Sequence, residues 1–376
     1  MCNILVINCI YMKNRILYVV LLCLIVSCKS HINKSENKGQ IDIKISKIDI
    51  HPVELKINNS SNMGFSGIGK DSLYFFDEFF NHYYHISLDG KIGKKQGGLG
   101  RGPGELPVKN PLEVCYCVSN NSLIALGGTN DIFIMNQMTN AKRIGYKMDK
   151  SNVVSYDSDT SYTLWPEVVA DCDNKYFYYN VQGNDDAVGI MRSDYYEKAA
   201  LLMRVNMRNG DVEPIGNYST YYVENRDKLK HLPFYYFDVI ENGDIYVTHQ
   251  ADPLIYHYDS EFKLKSAFGF DGADMNVEYS NPGSTQEQFI EAYEKDMQGA
   301  GFYYWVHHIN GYTFRSYKKQ GVESQNGLQI YKGETLIGDV EVPANFKVIG
   351  YIKPYFVTKI ICDEENERAK FYKFKL

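Results

Sequence analysis

Residues 72–94 read SLYFFDEFFNHYYHISLDGKIGK. An apolar run at 73–76 stops at Asp77, and a second strand-like run follows at 82–88. Asp89-Gly90 then separates it from residues 91–94. A D-G step between β-favouring runs signals a hairpin, because Gly tolerates the positive φ of the tight turn. The stretch therefore reads as strands joined by short turns, one unit of an antiparallel meander.

The same order returns down the chain. SLIAL (122–126) precedes DIFIM (131–135), and KYFYY (175–179) precedes LLMRV (201–205), after which Asn209-Gly210 turns into VEPI (212–215). Asn242-Gly243 leads into DIYVT (244–248), LIYHY (254–258) and FKL (262–264). Asn310-Gly311 leads into YTFRS (312–316), LQIY (328–331) and TLI (335–337), and YFVTKI (355–360) with KFYKF (370–374) ends the series. The units begin at 72, 122, 175, 244, 311 and 355, so their spacings are 50, 53, 69, 67 and 44 residues. A period near 50 suits four-stranded propeller blades, with insertions in two units. The fold class is all-β: a six-bladed β-propeller, since seven units would be too short for four strands each. The last unit is short of strands, and IDIKI (41–45) alternates with period two. A strand at 41–57 pairing into the last blade closes the ring and removes the free sheet edges.

One helical insertion is expected. Ser284-Thr285-Gln286-Glu287 reads as a capping box with Ser284 at the N-cap and Glu287 at N3. Phe289, Ile290, Tyr293 and Met297 then share one helical face, and Gly299-Ala300-Gly301 ends it. This predicts a helix near 284–298, packed on the propeller by that stripe.

Composition supports a globular β protein. The 376 residues include 32 Tyr, 19 Phe and 2 Trp, a β-leaning aromatic share of 14%. A 44% hydrophobic content supplies a core and excludes disorder for the bulk of the chain. A net charge of −6 argues against a nucleic-acid platform. No glycine period or sustained heptad supports collagen or a coiled coil.

The most distinctive segment is GGLGRGPGEL (97–106). Its Gly and Pro density permits a tight blade-to-blade crossing and close backbone approach. Arg101 and Glu105 are placed to brace that crossing; alternatively, Arg101 lines the entrance of the central channel and binds an anion. The segment resembles the G-x-G-x-G-P-G-E motif of six-bladed β-propeller lipoproteins of Bacteroidota, relatives of TolB-like and NHL-type propellers. The resemblance covers residues 41–376 in repeat layout and is sharp at this motif. It implies the propeller fold, and it brings no assigned activity, because most of that group has none.

The N-terminal residues read as an address. Lys13 and Arg15 precede an apolar run at 16–26, too short to span a bilayer as a mature helix. Ile25-Val26-Ser27-Cys28 resembles a bacterial lipobox, whose Cys becomes the lipidated N-terminus. The alternative is an uncleaved anchor or a buried helix. The run is complete from Met12, which reads as the start of the signal. The expected organisation is a signal peptide at 1–27, a polar tether at 28–40 and one propeller domain at 41–376. Processing would remove two basic residues and no acids, moving the net charge from −6 to −8. Lys29 follows the Cys where an Asp would suggest inner-membrane retention, and no acidic cluster resembling a surface-export signal follows. The expected location is the outer membrane, facing the periplasm.

Of eight Cys, Cys115, Cys117, Cys172 and Cys362 would remain beyond the lipidated Cys28. Cys115 and Cys117 share a strand face, poorly placed to bond each other. No C-x-x-C occurs. Buried free thiols are expected, with one long-range disulfide as the alternative.

Motifs for other chemistry fail on inspection. GFSGIGK (64–70) resembles a phosphate loop, but Asp71 stands where Ser or Thr is needed, and a strand follows instead of a helix. His82 and His85 fall on opposite strand faces, and the adjacent His307 and His308 diverge. Asp171-x-Asp173-Asn174 and Asp157-x-Asp159 offer oxygens without the Gly and Glu of a calcium loop. No metal or cofactor is expected, and no G-x-S-x-G elbow occurs. Trp165 and Trp305 are aromatic platforms for a sugar or peptide, or else packing.

The leading expectation is a non-enzymatic, monomeric envelope lipoprotein. It would meet the membrane through its lipid anchor and bind a protein or glycan partner. The alternative is a propeller enzyme, a lyase or hydrolase acting on a glycan or peptide at the channel mouth. A His, Arg, Asp or Glu cluster in a deep pocket would favour the enzyme; a shallow apolar mouth would favour the binding module.

Overall fold

The computed structural model describes residues 39–57, 60, 61, 63–69, 71–117, 121–128, 131–136, 139–145, 162–164 (backbone only), 168–183, 190–363 and 368–376. Six antiparallel sheets form the six blades of a propeller. From the axis outward, blade one runs Gly64–Ile68, Leu73–Asp77, His82–Ile86 and Gln96–Gly97. Blade two runs Glu113–Cys117, Ser122–Gly127, Asp131–Met135 and Lys142–Gly145. Blade three runs Ala170–Cys172, Tyr176–Gly183, Leu202–Asn206 and Val212–Ile215, with Tyr162–Leu164 beside the far end of Tyr176–Gly183. Blade four runs Tyr235–Val239, Ile245–His249, Ile255–Tyr258 and Leu264–Phe268. Blade five runs Phe302–Ile309, Tyr312–Lys318, Asn326–Lys332 and Thr335–Val342. Blade six runs Val348–Ile352, Tyr355–Thr358 and Arg368–Phe374, which also pairs Ile361–Asp363.

The N-terminal segment closes the ring, and it does so in two pieces. His51–Leu55 pairs antiparallel with Arg368–Phe374 as the outer strand of blade six. The preceding Gln40–Ile45 instead adds a parallel fifth strand to the edge of blade five. The single strand expected at 41–57 is thus broken near residues 46–50.

Alternation explains how the blades hold together. In Leu73–Asp77, Leu73 and Phe75 pack toward blade six while Tyr74 and Phe76 pack toward blade two. Such a strand is buried on both faces and reads as a continuous apolar run. Each of the six seams between neighbouring blades carries its own hydrophobic cluster.

The units read from the sequence start at the second strand of each blade. The innermost strands precede them and are harder to see, because some are short and mixed, as in Ala170-Asp171-Cys172. Three helices are short: α1 (Tyr195–Lys198), between the second and third strands of blade three, and α2 (Thr220–Glu224) and α3 (Arg226–Leu229), between blades three and four. The expected insertion is α4 (Gln286–Gly299), 14 residues long. Its capping box is Thr285 with Gln288, one residue beyond the Ser284–Glu287 pair expected. Its docked face is also narrower: Ile290 is exposed, while Ala292 and Asp296 are buried.

The GGLGRGPGEL segment carries the chain from blade one to blade two. Leu99 bridges Leu106, whose N–H donates to Gly98 O at 2.9 Å. The Glu105 carboxylate folds back and accepts from Gly102 N at 2.8 Å. A Cβ at Gly100 would lie 2.1 Å from the tip of that carboxylate, so a larger residue there would displace the Glu105 side chain.

Candidate functional site

The innermost strands enclose one axial cavity of about 610 Å³. Every blade contributes to its wall: Gly67, Cys115, Asp171, Asp238, His307 and Gly350 come from blades one to six in turn. Exposure marks the mouth. Asn174, Glu241, Asn242 and Asn310, at the first hairpins of blades three to five, line the cavity and are exposed. Glu113, Val114, Val169 and Phe237, toward the other end of the innermost strands, are buried.

Two aspartates clamp neighbouring blades at this wall. Asp171 Oδ1 accepts from Cys172 N at 2.7 Å, and its Oδ2 accepts from Val239 N at 2.8 Å, joining blades three and four. Asp238 Oδ2 accepts from His308 N at 2.7 Å, and its Oδ1 meets His307 Nδ1 at 2.6 Å, joining blades four and five. Burial and then the nearby Asp238 charge push the Asp171 pKa up to about 8. Burial draws His307 down, but Asp238 outweighs it, so the imidazole pKa is raised overall. His308 is drawn down by burial; its Nδ1 meets Thr313 Oγ1 at 2.8 Å. The His308 ring stacks on Tyr246 at 4.5 Å, and His257 also stacks on Tyr246, at 4.4 Å.

Acidic side chains gather in the mouth half, with Asp171 mainly in its neutral form at pH 7. Asp171, Asp173, Asp238 and Glu241 line the cavity there, with Tyr116 and Tyr351 beside them. Lys359, whose N–H donates to Lys347 O at the start of blade six, reaches the cavity from the other end, where Glu113 also lies. Among the described residues no disulfide joins the cysteines: Cys115 and Cys117 are buried, Cys172 and Cys362 partly buried. Cys115 Sγ lies 3.7 Å from Cys172 Sγ, and Cys117 Sγ donates to Asp173 O at 3.1 Å. Ser66 Oγ accepts from Ile360 N at 2.9 Å. None of these hydroxyl and thiol bonds reaches an imidazole. Among the described residues, no three His, Cys, Asp or Glu side chains group as a metal site.

The residues singled out in the sequence fall in different places. Trp305 lines the cavity at an irregular pairing on blade five. Its Nε1 donates to Val348 O at 2.6 Å, and Lys347 Nζ sits 5.2 Å from the ring. Arg101 is exposed and Glu105 half-buried on the crossing between blades one and two; neither lines the cavity. Trp165 and Cys28 lie outside the described residues. In the sequence, Asp171-x-Asp173-Asn174 and the adjacent His307 and His308 are two separate and weak metal-ligand patterns, and Asp238 belongs to neither. Only the ring order brings them to one wall.

No protein-family model matches the chain, and no curated protein matches it. Solved structures do. A member of the DUF4221 family from Bacteroides vulgatus is similar at a TM-score of 0.63 and 9% identity, over 90% of this chain and 99% of that one. A protein of Bacteroides fragilis described as exported is similar at a TM-score of 0.52 and 12% identity, over 90% and 99%. A streptogramin B lyase aligns at a TM-score of 0.42 and 10% identity, over 87% and 98%, too distant to bear on activity. At these identities the likeness shows the fold. No helix among the described residues is long and apolar enough to cross a membrane.

Proposed function

We propose that the chain is an outer-membrane lipoprotein, anchored through Cys28 and facing the periplasm, whose propeller binds a protein or glycan partner through a positively charged group. The observation that carries this reading is the axial cavity, with the carboxylates of Asp173, Asp238 and Glu241 and two tyrosines toward its mouth, where Asp171 is mainly protonated at neutral pH. Carboxylates beside aromatic rings attract a cation by charge and by the ring quadrupole together. A lysine or arginine side chain, or an amino sugar, has the required chemistry. The test is co-purification from solubilised envelopes. Intact protein should recover a partner that the Asp173→Asn/Glu241→Gln double variant loses. Equal recovery by both would overturn the channel as the binding site. Lipidation is tested separately by radiolabelled palmitate, which should label the chain and fail to label Cys28→Ala.

A second reading, an enzyme in the same cavity, has one observation in its favour. Asp171, raised to about 8, and the His307–Asp238 pair supply proton-transfer groups in a deep pocket. Against it, both oxygens of both aspartates already take part in hydrogen bonds, three of which tie neighbouring blades. Turnover of an envelope glycan or peptide that Asp171→Asn abolishes, with the fold intact, would establish the enzyme reading.

A further inference from the structure

The cavity wall carries three thiols that the proposed binding role does not use. Cys115 and Cys117 sit two residues apart on the innermost strand of blade two, in the cluster that fills the seam with blade three. Cys172 sits on the innermost strand of blade three and packs against that cluster. The Cys115 and Cys172 sulfurs are 3.7 Å apart across 57 residues of sequence, and Cys117 also comes within hydrogen-bonding reach of Cys172. A disulfide requires about 2.05 Å, so less than 2 Å of sulfur movement separates contact from bond.

We propose that Cys115 and Cys172 form a reversible disulfide that staples blades two and three at the cavity wall, with Cys117 placed to exchange into it. The oxidant is a disulfide compound, either a small one such as glutathione disulfide or that of a thiol oxidoreductase. One protein thiolate attacks the incoming disulfide, forming a mixed disulfide and releasing one thiol. The second protein thiolate then attacks the protein-side sulfur and releases the other. Two protein thiols lose two protons and two electrons, and the oxidant is reduced to two thiols. The hydrogen bond to Cys172 favours the Cys115 thiolate, but burial together with the nearby Asp171, Cys117 and Glu113 charges outweighs it; Cys172 is pushed up by its bonds to the other thiols and by burial. Both are therefore mainly protonated at neutral pH, and exchange is slow unless catalysed. Occurrence of the bond in the cell rests on the export reading, because envelope compartments are oxidising and the cytosol is not. The chemistry in vitro does not.

The test treats the purified protein, residues 28–376, with glutathione disulfide at pH 8.5, followed by alkylation and peptide mass spectrometry. The expected result is a loss of about 2 Da, one cross-linked peptide joining Cys115 to Cys172, and Cys362 still alkylated. Closing a long loop should raise the melting temperature by about 5 °C, and reductant should reverse the shift. Cys172→Ser should form no cross-link and show no shift. Alkylation of Cys115 and Cys172 alike, or glutathione adducts alone, would overturn the proposal. Alkylating intact cells before lysis separates the two readings. A chain that cross-links in vitro but is fully reduced in cells overturns the bond's occurrence in the cell, the part that rests on the export reading, and leaves the thiol geometry standing.

Discussion

His249 is fully buried on the second strand of blade four, and neither ring nitrogen has a hydrogen-bond partner. Tyr218, Tyr222, Tyr235 and Tyr256 surround its ring, with centroids between 4.9 and 6.1 Å away. Burial pulls its pKa down to about 3 from an ordinary value of 6.5. The fold therefore excludes a proton that the unfolded chain accepts. Its penalty is absent above about pH 6.5 and grows as pH falls toward 3. Between pH 7 and pH 5 the wild type should lose about 2 kcal/mol from this residue. Asp252 acts in the opposite sense: burial raises it to about 6, so its contribution is present below 3.8 and lost as pH rises through 6. His249→Phe isolates the histidine. In urea unfolding at the two pH values, the variant should gain about 2 kcal/mol relative to wild type on acidification. An unchanged difference would show that His249 is solvated. Asp238 offers a second prediction at this scale. Asp238→Ala strips the partner from His307 and from His308 N–H, at a cost of about 3 kcal/mol.

At the scale of elements, α4 is attached by polar chemistry more than by its stripe. Asp296 accepts from Ser280 N and Oγ at 2.9 and 2.6 Å, and meets the fully buried His231 at 2.7 Å. Asp296→Ala leaves these groups unpartnered and should cost about 3 kcal/mol. Thr285→Ala removes one half of the capping box and should cost about 1 kcal/mol. Urea unfolding measures both; a larger loss from the cap would contradict this ranking. The helix itself was legible from its capping signal and following apolar positions. Its docking contact was not, because an acidic residue on a helix normally faces water. The same logic divides the strands. Second strands such as Leu73–Asp77 announce themselves because both faces are buried. Innermost strands such as Gly64–Ile68 and Ala170–Cys172 do not, since their lining of a polar cavity breaks the apolar pattern.

At the scale of the whole molecule, the blade count was legible from spacing, and closure from the spare N-terminal strand. The aromatic supply also found its place, with Tyr178, Tyr196, Tyr218 and Tyr222 buried in the seam between blades three and four. The site was legible only as scattered residues. Asp171, Asp238 and His307 are 67 and 69 residues apart in succession, and nothing local links them. Ring closure should be indispensable. Removing residues 1–57 deletes the outer strand of blade six and takes Leu55 and Ile57 out of the seam with blade one. That truncation should abolish the cooperative melting transition followed by circular dichroism; retention of a sharp transition would show that the ring closes without it.

The most direct test of the channel as a cation-binding site is calorimetric titration of residues 28–376 with a lysine- and arginine-rich peptide, at low and high salt. The account predicts saturable binding that weakens with salt and falls about tenfold in the Asp173→Asn/Glu241→Gln variant, while an acidic peptide gives no heat. Equal binding of the acidic peptide, or an unchanged affinity in the variant, would contradict it.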